Sequence, residues 1–348
     1  MEKRISEGEN MNKMIPETKL TLLAKDAAKK HSLAAILVIA VVIELISFIP
    51  QLLILGPLVF LSREDLAGAL EMGDTSIIRI SPDMVMAVNL FVTVFTTLIT
   101  ILYCTKFEKR SMGSMGFRGK TPFTEYLTGL FLGAGMLLLA WGICLITGTA
   151  ECTGTSGSIS PVILLFFLGF LVQGMSEEVY CRGFIMQSIS IRYAPIAAVL
   201  VNSLFFAALH LGNNGIAPLA FVNLMLFGIF ASLYMWKRGN IWGIAAFHSA
   251  WNFAQGNLVG IRVSGSSAGP SVLSTEFMEQ GTLINGGSFG IEGGLACTLV
   301  YVAGILILLK LPVRKDAGIM REDGRDQVMD VTAELSSKPP VNIEIRAV

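Results

Sequence analysis

The sequence predicts an all-α membrane protein: a polytopic bundle of about eight transmembrane helices with both termini in the cytoplasm. Of its 348 residues, 53% are hydrophobic and only 15% are charged, whereas soluble domains carry about 25% charged residues. Several uncharged runs are long enough to cross a bilayer. Lysine and arginine also collect in alternate loops, which is the asymmetry that sets the orientation of membrane helices.

Eight apolar segments follow a polar cytoplasmic tail at residues 1–31, and each is predicted to be one span. Proline 50 is expected to kink the first span, because it removes a helical hydrogen bond. The transmembrane domain is therefore predicted over 32–312, followed by a polar tail over 313–348 that is expected to be disordered. The spans cover about residues 32–61, 84–104, 126–147, 161 onward into 174–183, 194–210, 216–236, 241–259 and 291–311.

The loops divide into two classes. Basic residues precede the first span and occupy the connections between spans 2 and 3 and spans 6 and 7, and they follow span 8. The other loops are poor in them, including a polar loop at 62–83 and Gly/Ser-rich loops at 148–160 and 260–290. The positive-inside rule then places both termini in the cytoplasm. Basic and acidic residues balance at 26 each, so we expect membrane lipid and no nucleic acid as a partner.

Three charges end the apolar run of the fourth span. Each costs roughly 2.5–3.5 kcal/mol inside a membrane segment, so such charges indicate a functional site. Glu178 precedes Arg182 by four residues, the favourable order for a helical ion pair. This pair is predicted to be a scaffold. Glu177 is turned about 100° away on the helix, and a carboxylate without a cation beside it suits a general base.

Two histidines, His210 and His248, lie within apolar runs, and Asn252 follows His248 by one helical turn. Glu177 and His210 lie at nearly equal distances along the chain from a predicted turn at 193–195, so they should reach the same level. Two chemistries fit. Either Glu177 and His210 activate a water while His248 and Asn252 donate hydrogen bonds to the oxyanion, or His210, His248 and a glutamate hold a zinc ion. No HExxH occurs.

Three short motifs occur in order on consecutive predicted spans. They are a double glutamate with an arginine four residues later and then a glycine, a phenylalanine four before a histidine, and a histidine four before an asparagine. Together they resemble the CAAX-protease and bacteriocin-processing family of intramembrane proteases (the CPBP or Abi family), with a close match over about 160–260. The residues are Glu177-Glu178-x-x-x-Arg182-Gly183, Phe206 with His210, and His248 with Asn252.

The resemblance implies a multi-pass protein of the cell membrane that cleaves membrane-associated or lipidated peptides. Glu177 and His210 would activate water, His248 and Asn252 would stabilise the oxyanion, and Glu178, Arg182 and Phe206 would support the site. The family is often labelled metalloprotease, so zinc bound by Glu177, His210 and His248 stays open. The alternatives are a non-catalytic bacteriocin-immunity or scaffold protein on the same fold, and a proton-coupled transporter, since buried Glu/His sets also relay protons.

Overall fold

A computed structural model describes residues 18–26, 29–72, 80–155, 161–267, 269–314 and 317. Most of the two predicted tails therefore lies outside the described residues. The described chain is mainly helical. Its helices are α1 Lys19–Lys25, α2 Leu33–Met72, α3 Pro82–Val92, α4 Val94–Leu102, α5 Pro122–Ile146, α6 Val162–Glu178, α7 Gln187–Ser190, α8 Pro195–Leu209, α9 Pro218–Arg238, α10 Trp242–Phe253, α11 Thr282–Asn285 and α12 Leu295–Lys310.

π-helical and 3₁₀-helical turns join these helices. Three π-helical turns extend α4, connect α6 to α7 and extend α10, at Tyr103–Phe107, Val179–Met186 and Ala254–Leu258. Such turns are frequent at functional sites, and the second one directly follows the double glutamate. Short 3₁₀ turns lie at Met112–Met115, Glu279–Gly281, Gly287–Phe289 and Ile291–Gly293.

The protein is a polytopic helical membrane protein. Helical segments coincide with all the predicted spans, while the count of eight and the side of the termini stay predictions. By length and composition, five described segments could cross a membrane: Leu33–Asp65, Pro82–Phe107, Pro122–Ile146, Val162–Ser190 and Pro218–Arg238. The shorter helices α8 and α12 are also apolar. By contrast, α10 is buried along nearly its whole length, as expected of a helix at the centre of a bundle.

Glycines allow α10 to pack closely against two neighbouring helices. A Cβ on Gly129 or Gly133 of α5 would overlap the α10 backbone. A Cβ on Gly174 of α6 would overlap both the side chain and the backbone nitrogen of Ser249. Small residues at such crossings let membrane helices approach closely. The close crossing of α6 and α10 sets the distance between the double glutamate and His248.

Helix α2, which contains the first predicted span, is longer than predicted. The polar residues of 62–83 predict a loop there, but α2 continues to Met72 and runs through Pro50 and Pro57. The added turns are rich in glutamate, leucine and alanine, which favour helix. Their polar character made them look like a loop. The Asp65 carboxylate accepts a hydrogen bond from the Ile80 backbone N–H at 3.0 Å, which joins the end of this helix to the start of the next segment.

A small antiparallel sheet corrects the all-α prediction. Strand β1, Ala150–Thr155, pairs with β2, Leu273–Phe277, from the loops predicted at 148–160 and 260–290. Ala150 lies opposite Phe277, and the register shifts once along the pair. Glycine and serine around both strands hid them, and their partners are far apart in sequence. Trp141 of α5 donates to the Thr275 hydroxyl at 3.2 Å, which fixes the sheet to the bundle.

Several predicted cytoplasmic segments meet at one end of the bundle. Glu125 of α5 accepts hydrogen bonds from Arg238 and from Arg314, and the Lys237 ammonium donates to the Leu311 carbonyl at 2.7 Å. Helix α1, inside the predicted tail 1–31, packs on the bundle through buried residues, Leu20, Thr21 and Ala24. Segments that the charge asymmetry assigned to one side of the membrane are therefore neighbours.

Candidate active site

A cavity of about 200 Å³ opens between the helices that carry the three motifs. Its wall comes from α3, α6, α8, α9 and α10 together with part of the chain after α10. The polar side chains that line it include Gln173, Glu177, His210, His248, Asn252 and Glu292. All four residues predicted to be catalytic therefore lie on one cavity.

The Glu177 carboxylate is held by a neutral donor and faces an imidazole. Its side chain is 31% exposed. Gln173, one helical turn earlier, donates from Nε2 to Glu177 Oε1. The other oxygen, Oε2, lies 3.7 Å from His248 Nε2. Arg182 bonds to Glu178 instead, which is the ion pair that the i, i+4 spacing predicted.

Glu178 contacts both a cation and the His248 imidazole. It is fully buried, and its Oε1 lies 2.9 Å from Arg182 Nη1 and 2.9 Å from His248 Nδ1. Opposite Arg182 the carboxylate is a hydrogen-bond acceptor, so His248 Nδ1 carries the proton in this pair. The ring therefore presents Nε2 to Glu177 and to the cavity. Sequence spacing predicted the ion pair but not this second role.

Aromatic rings surround the Arg182 guanidinium. Its centre lies 4.6 Å from the Phe206 ring centroid and 5.3 Å from that of Phe227. Its Nε and Nη2 have no hydrogen-bond partner among the described residues. Contact with a ring face stabilises a desolvated cation by about 2 kcal/mol. The Phe206 ring therefore packs on the guanidinium that forms the ion pair with Glu178.

A second arginine fixes the π-helical turn that carries Arg182. Arg110 Nη2 donates to the Gly183 carbonyl at 2.8 Å, and Arg110 Nη1 donates to Ser188 Oγ at 2.9 Å. Arg110 also forms a buried ion pair with Glu108 at 3.1 Å. This cluster joins the basic connection after Tyr103–Phe107 to the helix of the double glutamate, and sequence analysis assigned it no role.

His210 lies in the cavity wall but not against Glu177. It caps the C-terminus of α8, and its Nδ1 is 2.9 Å from the Phe206 carbonyl oxygen. Since a carbonyl only accepts, Nδ1 donates, and Nε2 is the nitrogen that makes no hydrogen bond to a described residue. Within the described chain His210 forms no ion pair with Glu177, and His248 is the imidazole beside that carboxylate. The chain lengths from the predicted turn at 193–195 indicated that Glu177 and His210 lie at the same level. Both residues line the cavity, but no hydrogen bond or ion pair joins them in the described chain.

Gln173 connects the two sides of the site, and the sequence analysis missed it. Its amide oxygen accepts a hydrogen bond from Asn252 Nδ2 at 3.1 Å while its nitrogen donates to Glu177. One signal was present in the sequence. A lone polar residue stands one helical turn before Glu177, and residues four apart share a helix face.

The zinc alternative does not fit this arrangement of side chains. Across the described residues, no three His, Cys, Asp or Glu side chains converge closely enough to hold a metal ion. The predicted donors Glu177, His210 and His248 are therefore not assembled as a ligand set, and we derive no step through zinc.

Residues 159–254 match a family model described as type II CAAX prenyl endopeptidase Rce1-like. The matched segment contains the double glutamate, His210 with its preceding phenylalanine, and His248 with Asn252. Comparison with curated proteins gives no significant match, and comparison with solved structures gives none either.

Proposed function

We propose that this chain is an intramembrane endopeptidase of the CAAX protease type, and the match of residues 159–254 to the Rce1-like family model supports the proposal. Its substrates in this proposal are membrane-associated or lipidated peptides. One observation carries the proposal. A glutamate fixed by Gln173 faces His248 across 3.7 Å, in a cavity that His210 and Asn252 also line.

In the proposed reaction Glu177 takes a proton from a water held between its carboxylate and His210 Nε2. The water oxygen attacks the peptide carbonyl carbon, and the carbonyl oxygen becomes the oxyanion. Asn252 donates from the Nδ2 hydrogen that Gln173 does not use, and His248 donates from Nε2 in its doubly protonated form. Each N–H of that ring then faces a carboxylate. Such donors stabilise the charge that develops in the transition state.

Collapse of the intermediate breaks the carbon–nitrogen bond. Glu177 returns its proton to the leaving nitrogen, which departs as an amine, and the other product is a carboxylic acid. Glu178 stays paired with Arg182 throughout, so its role in this proposal is to hold the His248 ring in position. Transfer of a proton by a placed side chain contributes about 10²–10⁴-fold to a rate.

The test is cleavage by the purified protein in proteoliposomes that contain a panel of membrane peptides, read by mass spectrometry of the products. The wild type should cleave at least one peptide. Glu177→Ala and His210→Ala should each lower kcat at least about 100-fold, while Glu276→Gln, an exposed acid on β2, should match the wild type. Full activity in Glu177→Ala contradicts the mechanism, and a partner-binding or immunity phenotype that survives both alanine variants favours a non-catalytic role.

Metal dependence needs its own experiment. In the proposed chemistry a strong chelator leaves the cleavage rate unchanged, and elemental analysis of active protein finds zinc far below one equivalent. Loss of activity on chelation, followed by recovery when zinc is restored, would favour the zinc alternative over water activation by Glu177 and His210.

A further inference from the structure

A second buried carboxylate lines the same cavity and has no part in the proposed reaction. Glu292 lies in the 3₁₀ turn before α12, is 7% exposed and forms part of the cavity wall. Its Oε2 accepts hydrogen bonds from Ser264 N at 2.6 Å, Ser264 Oγ at 2.8 Å and Gln255 Nε2 at 3.2 Å. Its Oε1 accepts none from the described residues.

No described lysine or arginine pairs with Glu292. Among the described residues it forms no ion pair, and the described lining of the cavity includes neither lysine nor arginine. A buried charge without a partner is costly, and three neutral donors on one oxygen offset only part of that cost. Glu178, the other buried acid near the cavity, does have an arginine.

The local fold needs only part of this side chain. The turn is held by its backbone, since Asn223 Nδ2 donates to the Glu292 carbonyl at 2.8 Å and to the Gly294 carbonyl at 2.9 Å. Oε2 alone fixes Ser264, whose φ of 45° is unusual for a residue other than glycine. These contacts leave Oε1 as an acceptor that nothing in the described local structure uses.

We propose that Glu292 Oε1 binds the ammonium group of a lysine side chain in the peptide substrate, so that the cavity selects peptides with a lysine near the cleaved bond. A single available oxygen offers one contact, which suits the point charge of an ammonium better than the bidentate fork of arginine. This inference rests on the proposed peptidase function and assigns a specificity-determining residue to it.

The experiment uses matched membrane peptides with one lysine, or the uncharged norleucine, at each position from four before to four after the cleaved bond. Wild-type protein should prefer lysine at one or two adjacent positions by about tenfold or more in kcat/KM, the range of a charge-assisted hydrogen bond. Glu292→Gln keeps the shape of the side chain and should bring that ratio to about one. Exposed Glu276 again supplies the control, as Glu276→Gln, and should keep the preference.

A binding measurement separates this inference from the proposed function. Fluorescently labelled versions of the same peptides are titrated by anisotropy against the Glu177→Gln protein, with and without Glu292→Gln. Tighter binding of the lysine peptide that depends on Glu292 supports the inference, even when no peptide is cleaved and the peptidase proposal fails. If protein that retains Glu292 binds and cleaves the lysine and norleucine peptides equally well, the inference is wrong, whatever the Glu292→Gln variant does. A preference that persists in Glu292→Gln overturns it as well.

Discussion

Replacement of Arg182 by methionine tests how the site is supported. The change leaves the fully buried Glu178 carboxylate with His248 as its remaining partner. Removal of one member of a buried ion pair costs about 3–5 kcal/mol, because the other charge stays buried. The lost cation–π contact with Phe206 is offset in part, since a methionine thioether also packs well on an aromatic ring. We therefore expect Arg182→Met to lower the free energy of unfolding by about 3–5 kcal/mol.

The assay is equilibrium unfolding in mixed detergent micelles, with Arg192→Met as the matched control. Arg192 is exposed, so its replacement should change the unfolding free energy by no more than about 0.5 kcal/mol. In the double variant Glu178→Gln/Arg182→Met both charges are gone, and part of the loss should be regained, with a coupling of about 0.5–3 kcal/mol between the two sites. A cost under about 1 kcal/mol for Arg182→Met, or strict additivity in the double variant, would refute the reasoning.

Two further substitutions test how Glu177 is positioned. Gly174→Ala should reduce both stability and cleavage rate, because the added Cβ would overlap the facing helix α10. The control Gly135→Ala lies in open space and should be neutral or slightly stabilising. Equal melting temperatures for the two variants would contradict the packing argument. Gln173→Met removes both hydrogen bonds of that amide and should lower kcat about tenfold at nearly constant KM. The exposed Gln280→Met is its control, and a Gln173→Met enzyme with wild-type kcat would show that Glu177 needs no such support.

The helices and the ion pair could be predicted because their signals are local. Long uncharged runs mark membrane helices, and the spacing of Glu178 and Arg182 gave their contact at 2.9 Å. The site roles assigned to Glu177 and to His210 remain predictions. The absence of an ion pair between His210 and Glu177 in the described chain was not predictable, because the His210 ring bonds to the Phe206 carbonyl at the end of α8.

The features that were missed depend on long-range contacts or on environment. The β1–β2 pair joins segments more than a hundred residues apart in sequence, and neither strand has the length or apolar alternation that marks a strand by itself. Gln173 acquires its importance from Asn252 on another helix. Glu292 lies at the start of the predicted span 291–311, and its sequence position gave no sign of a role. Only the folded chain shows that its hydrogen-bond donors, Ser264 and Gln255, are neutral.

The ion pair within one helical segment also has a consequence for biogenesis. A membrane helix is inserted before its neighbours have packed, so charges that rely on other helices enter the bilayer uncompensated. Glu178 and Arg182 are one turn apart on the same segment, so they neutralise each other during insertion itself. The nascent segment then presents one uncompensated charge, that of Glu177, to the translocon instead of three. We expect Glu177 to be the residue that limits how efficiently this span is integrated.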